Sequence, residues 1–462
     1  MRMLALAQAW RRRGGETTFA SAECPPALID RIANEGFKFE KISCDSPGDQ
    51  HDALATIAAS SEWIILDGYH FNQAFQQTCQ SAHRKLLCVD DYGHCKNWHC
   101  DLVLNQNLGA PLQPNYPKSS LLGLSYALLR QEFLNTPRNI KEWGPLQNVL
   151  ITLGGADPPN ATQWILEKLA KIGRKDLQIR VLVGPANPHK DSLYSLELPF
   201  QVEWKESVTD MPAEYAWADG VISAGGSSCW EWLYFGLPGA VVTIADNQEP
   251  VVNELEKARL ALCLGWPDQN DIFSDLSTWL DQPAKLINQS AAFCLIDGRG
   301  ADRVVAEIDG TNCLIRQTDP ISDAQFTFDL VNHPSVRSAG YSTDPIPWQT
   351  HCDWLLRHHT SPDSFLFIIE TADNQAVGFL RFQRSEAAWE IGIALTTDAR
   401  GRGFADQGIR LGMTELAVIH EIRNFRATIR PTNSASKNLF QRLEFNHIST
   451  EGDRETWTYL LP

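Results

Sequence analysis

The sequence is short of positive charge and has no apolar stretch of membrane-spanning length. Its 40 Lys and Arg residues are outnumbered by 56 Asp and Glu residues, which gives a formal net charge of −16. A field of that sign disfavours binding to nucleic acid and to anionic membranes. No apolar run is long enough to cross a bilayer, and the first residues lack the apolar core of a signal peptide. An anionic substrate must therefore be held by local cations or by backbone N–H groups.

The cysteines do not form the even framework of a secreted disulfide-rich domain. There are 11 in a chain of 462 residues, and we therefore expect a reducing, cytoplasmic environment. The segment 94–100 holds two His and two Cys, which suggests zinc. No second Cys/His pair stands at the spacing of a zinc ribbon or finger. The sequence predicts a loop with buried thiols and no metal.

The sequence is rich in alternating helical and strand patterns. Residues 1–140 and 141–309 each alternate helix and strand, whereas 314–462 mixes helices with consecutive strands. The first block opens with an amphipathic helix and includes another near Ala53. These patterns predict an α/β protein, with a pair of Rossmann-type domains followed by an α+β domain.

The opening helix departs from the usual order of a Rossmann-type unit. Such a unit normally begins with a strand, and the turn from that strand into the first helix faces the phosphate. Here the pattern begins with a helix at residue 1. We therefore expect the first domain to lack its first strand.

Glycine pairs follow two buried strand patterns of the second block, in "LGGAD" and "SAGGSSCWEW". Glycine allows close phosphate approach, and serine hydroxyls at a helix start can donate to it. A tight structural turn would also require glycine, but several such loops at strand ends favour a ligand site. The predicted substrate-binding residues here are Gly154, Gly155, Ser223, Gly225, Gly226, Ser227, Glu231, Asn247 and Gln248.

Carboxylates follow predicted strands of the first block, where a cleft would open. Asp67 and Asp91 are the catalytic candidates there, because a carboxylate can orient a water or a substrate hydroxyl. Tyr69 is a candidate substrate contact, and Asp90 stands beside Asp91. Helix capping by aspartate is the alternative interpretation.

The segment "LTTDARGRGFADQGIR" places a Gly- and Arg-rich turn between a strand ending near Leu395 and a helix. Gly401 and Gly403 let successive backbone N–H groups face an anion, and the helix start adds partial positive charge. Nearby arginines, Arg400, Arg402 and Arg410, add cations. The pattern favours a pyrophosphate site over a solvated turn.

This turn resembles the acetyl-CoA loop of the GNAT superfamily of N-acetyltransferases. "RPTNSASKNLFQRLEF" resembles a later helix of that superfamily, and "NHPSVR", "WQTHCDWL" and "VGFLRF" resemble the branch that acetylates amino groups on nucleotide-linked sugars. The resemblance implies acetyl-CoA as co-substrate. The cofactor-binding residues it implies are Leu395, Arg400, Gly401, Arg402, Gly403, Phe404, Ala405, Asn433 and Ser436.

Acetyl transfer needs a neutral amine and a group that takes its proton. Glu390, on the strand before the loop, is the candidate base, and an exposed strand carboxylate is the alternative. Phe440 stands where many family members carry a tyrosine acid, which puts that acid mechanism in doubt. His351 and Trp354 would line the acceptor pocket or pack in the core.

The first two blocks resemble sugar-nucleotide enzymes of the GT-B fold, and in particular the UDP-sugar hydrolase of pseudaminic acid biosynthesis. The resemblance rests on "RMLALAQAW", "LDGYHF", "VDDYG", "DLVLNQN", "LGGADPPN", "SAGGSSCWE", "GLP" and "ADNQ". It implies cleavage of UDP from a 2,4-diacetamido-2,4,6-trideoxy sugar, and a UDP-linked amino sugar as the partner. In that family a Gly-x-Gly-His turn carries the catalytic His just before the segment that matches Met1. The alternatives are a GT-B glycosyltransferase, or an inactive UDP-sugar-binding module fused to an active acetyltransferase.

Overall fold

The computed structural model describes residues 1–42, 61–81, 84–110, 116–138, 142–206, 208–267, 269, 272–288, 291 and 295–461. The helix expected near Ala53 lies outside the described residues. The chain forms two compact units. The first comprises Met1–Leu6 and Thr18–Val304, and the second comprises Ala7–Thr17 and Val305–Pro462. No helix in the described part of the chain is long and apolar enough to span a membrane.

The N-terminal part of the first unit is built from short parallel strands and helices. Its elements are α1 (Arg2–Arg12), β1 (Thr18–Ser21), α2 (Pro26–Asn34), β2 (Lys38–Lys41), β3 (Trp63–Asp67), α3 (Gln73–Ser81), β4 (Lys85–Val89), β5 (Leu102–Asn105), β6 (Ser120–Leu122) and α4 (Gln131–Leu134). β1 pairs with β2, and β3, β4, β5 and β6 form a second parallel sheet. In the part of the chain that the structure describes, β1 and β2 form a separate sheet from β3–β6.

The rest of the first unit is a parallel sheet with helices between its strands. Its elements are β7 (Asn148–Thr152), α5 (Ala161–Ile172), β8 (Gln178–Val183), α6 (Lys190–Tyr194), β9 (Gln201–Glu206), α7 (Met211–Trp217), β10 (Gly220–Ala224), α8 (Ser228–Tyr234), β11 (Gly239–Val242), α9 (Glu249–Lys257), β12 (Ala261–Gly265), α10 (Phe273–Asp281) and α11 (Gly300–Asp309). β10 and β11 are buried at every residue, as in a parallel sheet that is covered on both faces.

The strand order of this sheet is β12-β11-β10-β7-β8-β9. The chain moves outward from β7 to β9 and then crosses back to β10, so the direction of winding reverses between the neighbouring strands β7 and β10. Ligands of open parallel sheets bind outside the carboxyl ends of the strands at such a reversal. The fold therefore brings the two predicted glycine loops to the same end of adjacent strands.

The second unit contains a mixed sheet of order β13-β14-β15-β16-β17-β19-β18. Its elements are β13 (Cys313–Gln317), α12 (Ala324–Asn332), α13 (Pro334–Arg337), α14 (Trp348–His359), β14 (Ser364–Thr371), β15 (Ala376–Ser385), β16 (Ala388–Leu395), α15 (Phe404–His420), β17 (Asn424–Ile429), α16 (Ser434–Arg442), β18 (Asn446–Glu451) and β19 (Arg454–Leu460). β16 and β17 are parallel but pair only at Trp389–Phe425 and Glu390–Arg426. Beyond Glu390 the two strands no longer pair.

The alternation of side chains on this sheet assigns its helices to opposite faces. Phe367, Leu380 and Phe382 pack in one core with residues of α15 and α16. Phe379, one residue from Leu380, packs with residues of α12 and α14 in another core. Most of the two nucleotide-type blocks predicted upstream lies in the first unit, and the predicted boundary at residue 140 stays a prediction.

Candidate functional site

Two glycine loops follow β7 and β10 at the reversal of the first unit's sheet. Gly154 has a φ of +86°, and a Cβ built on it, or on Gly155 or Gly226, would meet no atom within 4 Å. A Cβ on Gly225, in contrast, would lie 2.4 Å from Val252 of α9. Gly225 is therefore required for packing, whereas the other glycines border open space in which a ligand could approach the backbone.

The hydroxyl of Ser223 is used inside the protein. Ser223 is fully buried, and its Oγ accepts a hydrogen bond from Trp232 Nε1 at 3.0 Å. Ser227, by comparison, is exposed at the start of α8. The structure gives Ser223 a role in packing α8 against β10 and leaves Ser227 free to meet a ligand.

Replacing Ser223 by alanine should therefore destabilise the protein without weakening its binding of UDP. The indole N–H of Trp232 would lose its acceptor, which should lower the free energy of unfolding by about 1–3 kcal/mol. Ser227→Ala should leave the stability nearly unchanged. It should weaken UDP binding roughly 5- to 10-fold, because one hydrogen bond to the ligand would be lost. Denaturant unfolding and calorimetric titration with UDP measure both effects. Weaker UDP binding by Ser223→Ala at unchanged stability would contradict this assignment.

Glu231 has partners that limit its freedom to bind a ribose. Its carboxylate accepts from the Tyr215 hydroxyl at 3.2 Å and lies 3.4 Å from Arg130 Nη2. Burial raises the pKa of Glu231, although the charge of Arg130 opposes that change.

The turn after β11 is held by Gln248, whose Oε1 accepts from the Ile244 N–H at 3.0 Å.

Asp67 and Asp91 are brought together by an arginine that the sequence did not single out. Arg2, the first residue of α1, lies 2.6 Å from Asp67 and 2.8 Å from Asp91. Both carboxylates lie at the carboxyl ends of the paired strands β3 and β4, as predicted. Both carboxylates are held by one guanidinium, which fixes their positions at this edge of the sheet. The available signal for Arg2 was its place at the start of the "RMLALAQAW" helix.

Tyr69 connects this ion cluster to the turn that follows β11. Its hydroxyl donates to Asp91 Oδ2 at 2.6 Å and also hydrogen-bonds the side chain of Asn247. Burial, and then the neighbouring charge of Asp91, raise the pKa of Tyr69. Asn107 Nδ2 donates to the same aspartate at 3.0 Å. The predicted contacts Tyr69 and Asn247 therefore lie together, beside the paired carboxylates.

Asp90 is buried and belongs to a separate network. It accepts from the Tyr116 hydroxyl, from the Gly93 N–H and from His94 Nδ1. Burial alone would raise the pKa of Asp90, but these hydrogen bonds outweigh it and hold that pKa below its usual value. Asp90 therefore fixes the loop that carries Asp91 and does not face a substrate.

The His- and Cys-rich segment has protein partners. Cys95 Sγ accepts from Gln76 Nε2 at 3.3 Å, and His99 Nε2 lies 2.9 Å from Gln73 Nε2. In the described part of the chain, no three His, Cys, Asp or Glu side chains are grouped as metal ligands.

In the second unit, the Arg–Gly turn lies between β16 and α15 as predicted. Gly401 has a φ of +76° and Gly403 a φ of +88°. Gly403 immediately precedes α15, whose first N–H groups have no acceptor within the helix. The turn therefore offers backbone donors at the positive end of a 17-residue helix.

The arginines around the turn differ in what they are free to do. The Arg400 guanidinium donates to the Leu395 carbonyl at 3.2 Å and to Ser335 Oγ at 2.8 Å, so it shapes the turn. Arg410 donates to Asp406 at 2.9 Å and to the Arg442 carbonyl at 3.0 Å, which ties α15 to α16. Arg402 is exposed and has no ion-pair partner among the described residues, so it is the cation available to a pyrophosphate.

The remaining cofactor candidates lie at the starts of α15 and α16. Phe404 is buried, so only its N–H can face a ligand, and Ala405 follows it in the first turn of α15. Asn433 caps α16 by accepting from the Ser436 N–H at 3.1 Å. Phe440 is buried against Phe445 and provides no hydroxyl.

Glu390 lies where β16 and β17 stop pairing. Its Oε2 accepts from Arg426 Nε at 2.8 Å, which leaves its other oxygen available.

His351 is buried, with Nε2 2.9 Å from Thr327 Oγ1, so it packs between α14 and α12. Trp354 is half-buried and lies near Arg381.

Two protein-family models match separate parts of the chain. Residues 313–446 match the acetyltransferase (GNAT) domain, and residues 148–298 match the glycosyltransferase family 28 C-terminal domain. An uncharacterised protein of Methanocaldococcus jannaschii is 23% identical over 493 residues, which cover 99% of this chain and 95% of that protein. The spore coat polysaccharide biosynthesis protein SpsG of Bacillus subtilis is 28% identical over 193 residues, 40% of this chain and 56% of the relative.

Among solved structures, a domain from Methanocaldococcus jannaschii is 20% identical, with a TM-score of 0.30, and the match covers 32% of this chain and 98% of that one. A spermidine N-acetyltransferase from Vibrio cholerae is 14% identical, with a TM-score of 0.29, and the match covers 32% and 93%. By its domain matches, the chain joins a glycosyltransferase-like nucleotide-sugar domain to a GNAT acetyltransferase domain.

Proposed function

We propose that the second unit transfers an acetyl group from acetyl-CoA to the 4-amino group of a UDP-linked amino sugar. The observation that carries the proposal is the Arg400–Gly403 turn at the start of α15, beside diverging strands, within a GNAT domain. Backbone N–H groups and Arg402 would hold the pyrophosphate. The gap between β16 and β17 would admit the thioester toward Glu390.

In this reaction the amine nitrogen forms a bond to the thioester carbonyl carbon, and the carbon–sulfur bond breaks. Glu390 would take the proton of the amine, directly or through a water. Arg426 holds one carboxylate oxygen, which fixes the direction of the other. With phenylalanine at position 440, the leaving thiolate would take a proton from water, and Glu390 would return the amine proton to solvent.

Replacing Glu390 by glutamine should lower kcat by about 100-fold, the usual contribution of a general base. The KM for acetyl-CoA should stay within about twofold, because the Arg–Gly turn is unchanged. Glu451→Gln, an exposed strand carboxylate in the same domain, is the matched control. A kcat close to that of the unaltered protein would remove Glu390 from the mechanism.

We further propose that the first unit hydrolyses a UDP-2,4-diacetamido-2,4,6-trideoxy sugar, as in nonulosonic acid biosynthesis of the pseudaminic type. The glycine loops would hold the diphosphate, and Asp67, Asp91 and Tyr69 would orient the sugar or a water. The similarity to a polysaccharide biosynthesis protein supports a substrate of this class. Acetylation would make the substrate that hydrolysis consumes, so the two proposed steps follow one another.

Two other functions for the first unit have specific support. The family 28 match favours glycosyl transfer to an acceptor, and the pairing of both aspartates with Arg2 favours a module that binds without turnover. Product analysis separates the three. Free sugar and UDP indicate hydrolysis, a new glycoside indicates transfer, and binding with neither product indicates the module.

Release of CoA thiol tests the acetyl transfer directly. The full chain, incubated with acetyl-CoA and a UDP-4-amino sugar, should release thiol in proportion to the N-acetyl sugar that is formed. Thiol release that does not depend on the amino sugar would reject the proposal.

A further inference from the structure

One face of the second unit's sheet carries three arginines that form no ion pair with any residue that the structure describes. Residues directly opposite each other on paired strands share a face. Arg381 lies opposite Gly392, Gln383 opposite Glu390, and Glu390 opposite Arg426. This face is opposite to the one that α15 and α16 cover, because Leu380 and Phe382 point toward α15. Arg381 and Glu390 therefore lie together on the other face of the sheet.

Arg430 and Arg454 continue this face beyond the end of β17. Thr428 pairs with Thr456, so the next residues on the same face are Arg430 on one strand and Arg454 on the other. Both contact Tyr341, whose ring centroid lies 5.5 Å from the Arg430 guanidinium and 4.6 Å from that of Arg454. Two cations are thus held beside one aromatic ring.

Tyr341 also relates this pair to the proposed base. Burial raises the pKa of Tyr341, Arg454 and Arg430 lower it, and the charges of Asp453 and Glu390 raise it. Burial lowers the pKa of Arg381, and the charge of Glu390 opposes that change. The charge of Glu390 therefore influences both Tyr341 and Arg381, which lie near it on this face of the sheet.

Arg381 lies across Gly392, which has no side chain to block it. A Cβ on Gly392 would lie 2.2 Å from Arg381 Nε, so the arginine extends across β16 through the space that glycine leaves. Its guanidinium lies 5.9 Å from the ring centroid of Trp354. Gly392 and Trp354 therefore fix the direction of this cation.

The charges of these arginines are not balanced within the fold. Among the described residues, none of Arg381, Arg430 and Arg454 has a carboxylate within ion-pair distance, whereas Arg426 and Arg384 on the same strands do. Arg430 Nε is buried without a hydrogen-bond partner. In a chain with a net charge of −16, three unpaired cations on one face indicate an anionic ligand.

We propose that Arg381, Arg430 and Arg454, arranged around Tyr341, bind the diphosphate of the acceptor, so that the acetyltransferase selects amines carried on a nucleoside diphosphate. The proposal rests on the proposed acetyl transfer and extends it to the substrate class. Guanidinium groups bind phosphate oxygens in pairs, and a diphosphate offers enough oxygens for more than one arginine. The residues of this subsite differ from those of the Arg–Gly turn, which would bind the diphosphate of acetyl-CoA.

The test uses the full chain and the variants Arg430→Ala, Arg454→Ala and Arg381→Ala. Each should raise the KM for the UDP-amino sugar by about 10-fold or more, because a charge-assisted hydrogen bond is lost. The KM for acetyl-CoA should stay within about twofold. Arg384→Ala, an exposed paired arginine on β15, is the matched control and should change neither value. Lysine at position 454 should restore part of the affinity, because it returns the charge without the paired donors.

A second arm uses UDP as an inhibitor of acetyl transfer to the same amino sugar without its nucleotide. UDP should compete with that amine in the unaltered protein and should inhibit the Arg430→Ala variant at least about 10-fold more weakly. Unchanged KM values and unchanged UDP inhibition in all three variants would overturn the subsite. If an acidic peptide amine were acetylated instead, with the same dependence on the arginines, the nucleotide assignment would be wrong.

The two proposals fail in different ways. Acetyl transfer to the UDP-amino sugar with no effect of the arginines would reject the subsite alone. Acetylation of other amines only, with arginine-dependent inhibition by UDP, would reject the proposed substrate and keep the subsite.

Discussion

Replacing Gly403 by valine is expected to lower kcat/KM for acetyl-CoA by about 100-fold, the typical effect of losing a positioned backbone donor. Gly403 precedes α15 with a φ of +88°, which a β-branched residue adopts only with strain. The turn would shift, and its N–H groups would no longer converge on one anion. Steady-state kinetics with varied acetyl-CoA measures the loss.

Gly310→Val is the matched control for that substitution. Gly310 also has a positive φ, +68°, with no atom within 4 Å of a built Cβ, and it precedes β13 in the same unit. Both variants should lose stability to a similar extent, which thermal unfolding would show. Equal losses of activity in the two variants would mean that the Arg–Gly turn has no special part in binding.

The second large effect is expected at Gly154, in the first unit. We expect excess UDP to raise the Tm of the unaltered protein, and Gly154→Val should abolish that rise, because the added side chain would occupy the open space beside the loop. We expect UDP affinity to fall by about 100-fold, since the loop would also move from its left-handed conformation. Thermal unfolding with and without UDP measures the change.

Gly173→Val controls for strain in this case. Gly173 ends α5 with a φ of +77° and borders open space in the same way. It should lower Tm in the absence of ligand and leave the shift produced by UDP intact. A normal UDP shift in Gly154→Val would place the nucleotide elsewhere.

Periodicity and glycine placement predicted the α/β class, the glycine loops after β7 and β10, and the Arg–Gly turn before α15. The buried runs of β7 and β10 each end in a glycine pair, and parallel strands bring such ends to one edge of the sheet. The Arg–Gly turn is equally local, because a strand, two glycines with positive φ and a helix follow one another within a few residues. Short-range signals of this kind can be recognised in a single sequence.

Contacts between distant residues could not be predicted in this way. Arg2 reaches Asp67 and Asp91, 65 and 89 positions further along the chain, and nothing in the local pattern specifies that pairing. Arg400 looks like a pyrophosphate ligand in sequence, yet its guanidinium is used by the Leu395 carbonyl and Ser335. The role of Ser223 depends in the same way on Trp232, which only the packing of α8 brings to it.

The arginines around Tyr341 show the same limit. Their segments are far apart in sequence and meet only through the register of β15, β16, β17 and β19. These arginines stand out because they form no ion pair with a described residue. Whether an arginine forms an ion pair is decided by the folded chain and not by the local sequence. An acidic composition alone gave no indication of where the cations would collect.

A crystal structure of the full chain with CoA and UDP would test most directly whether one polypeptide holds two diphosphates at separate glycine turns. We predict the CoA pyrophosphate within hydrogen-bond distance of the N–H groups of residues 401–405, and UDP beside Gly154 and Gly226. Well-ordered ligands bound away from both turns would contradict this account.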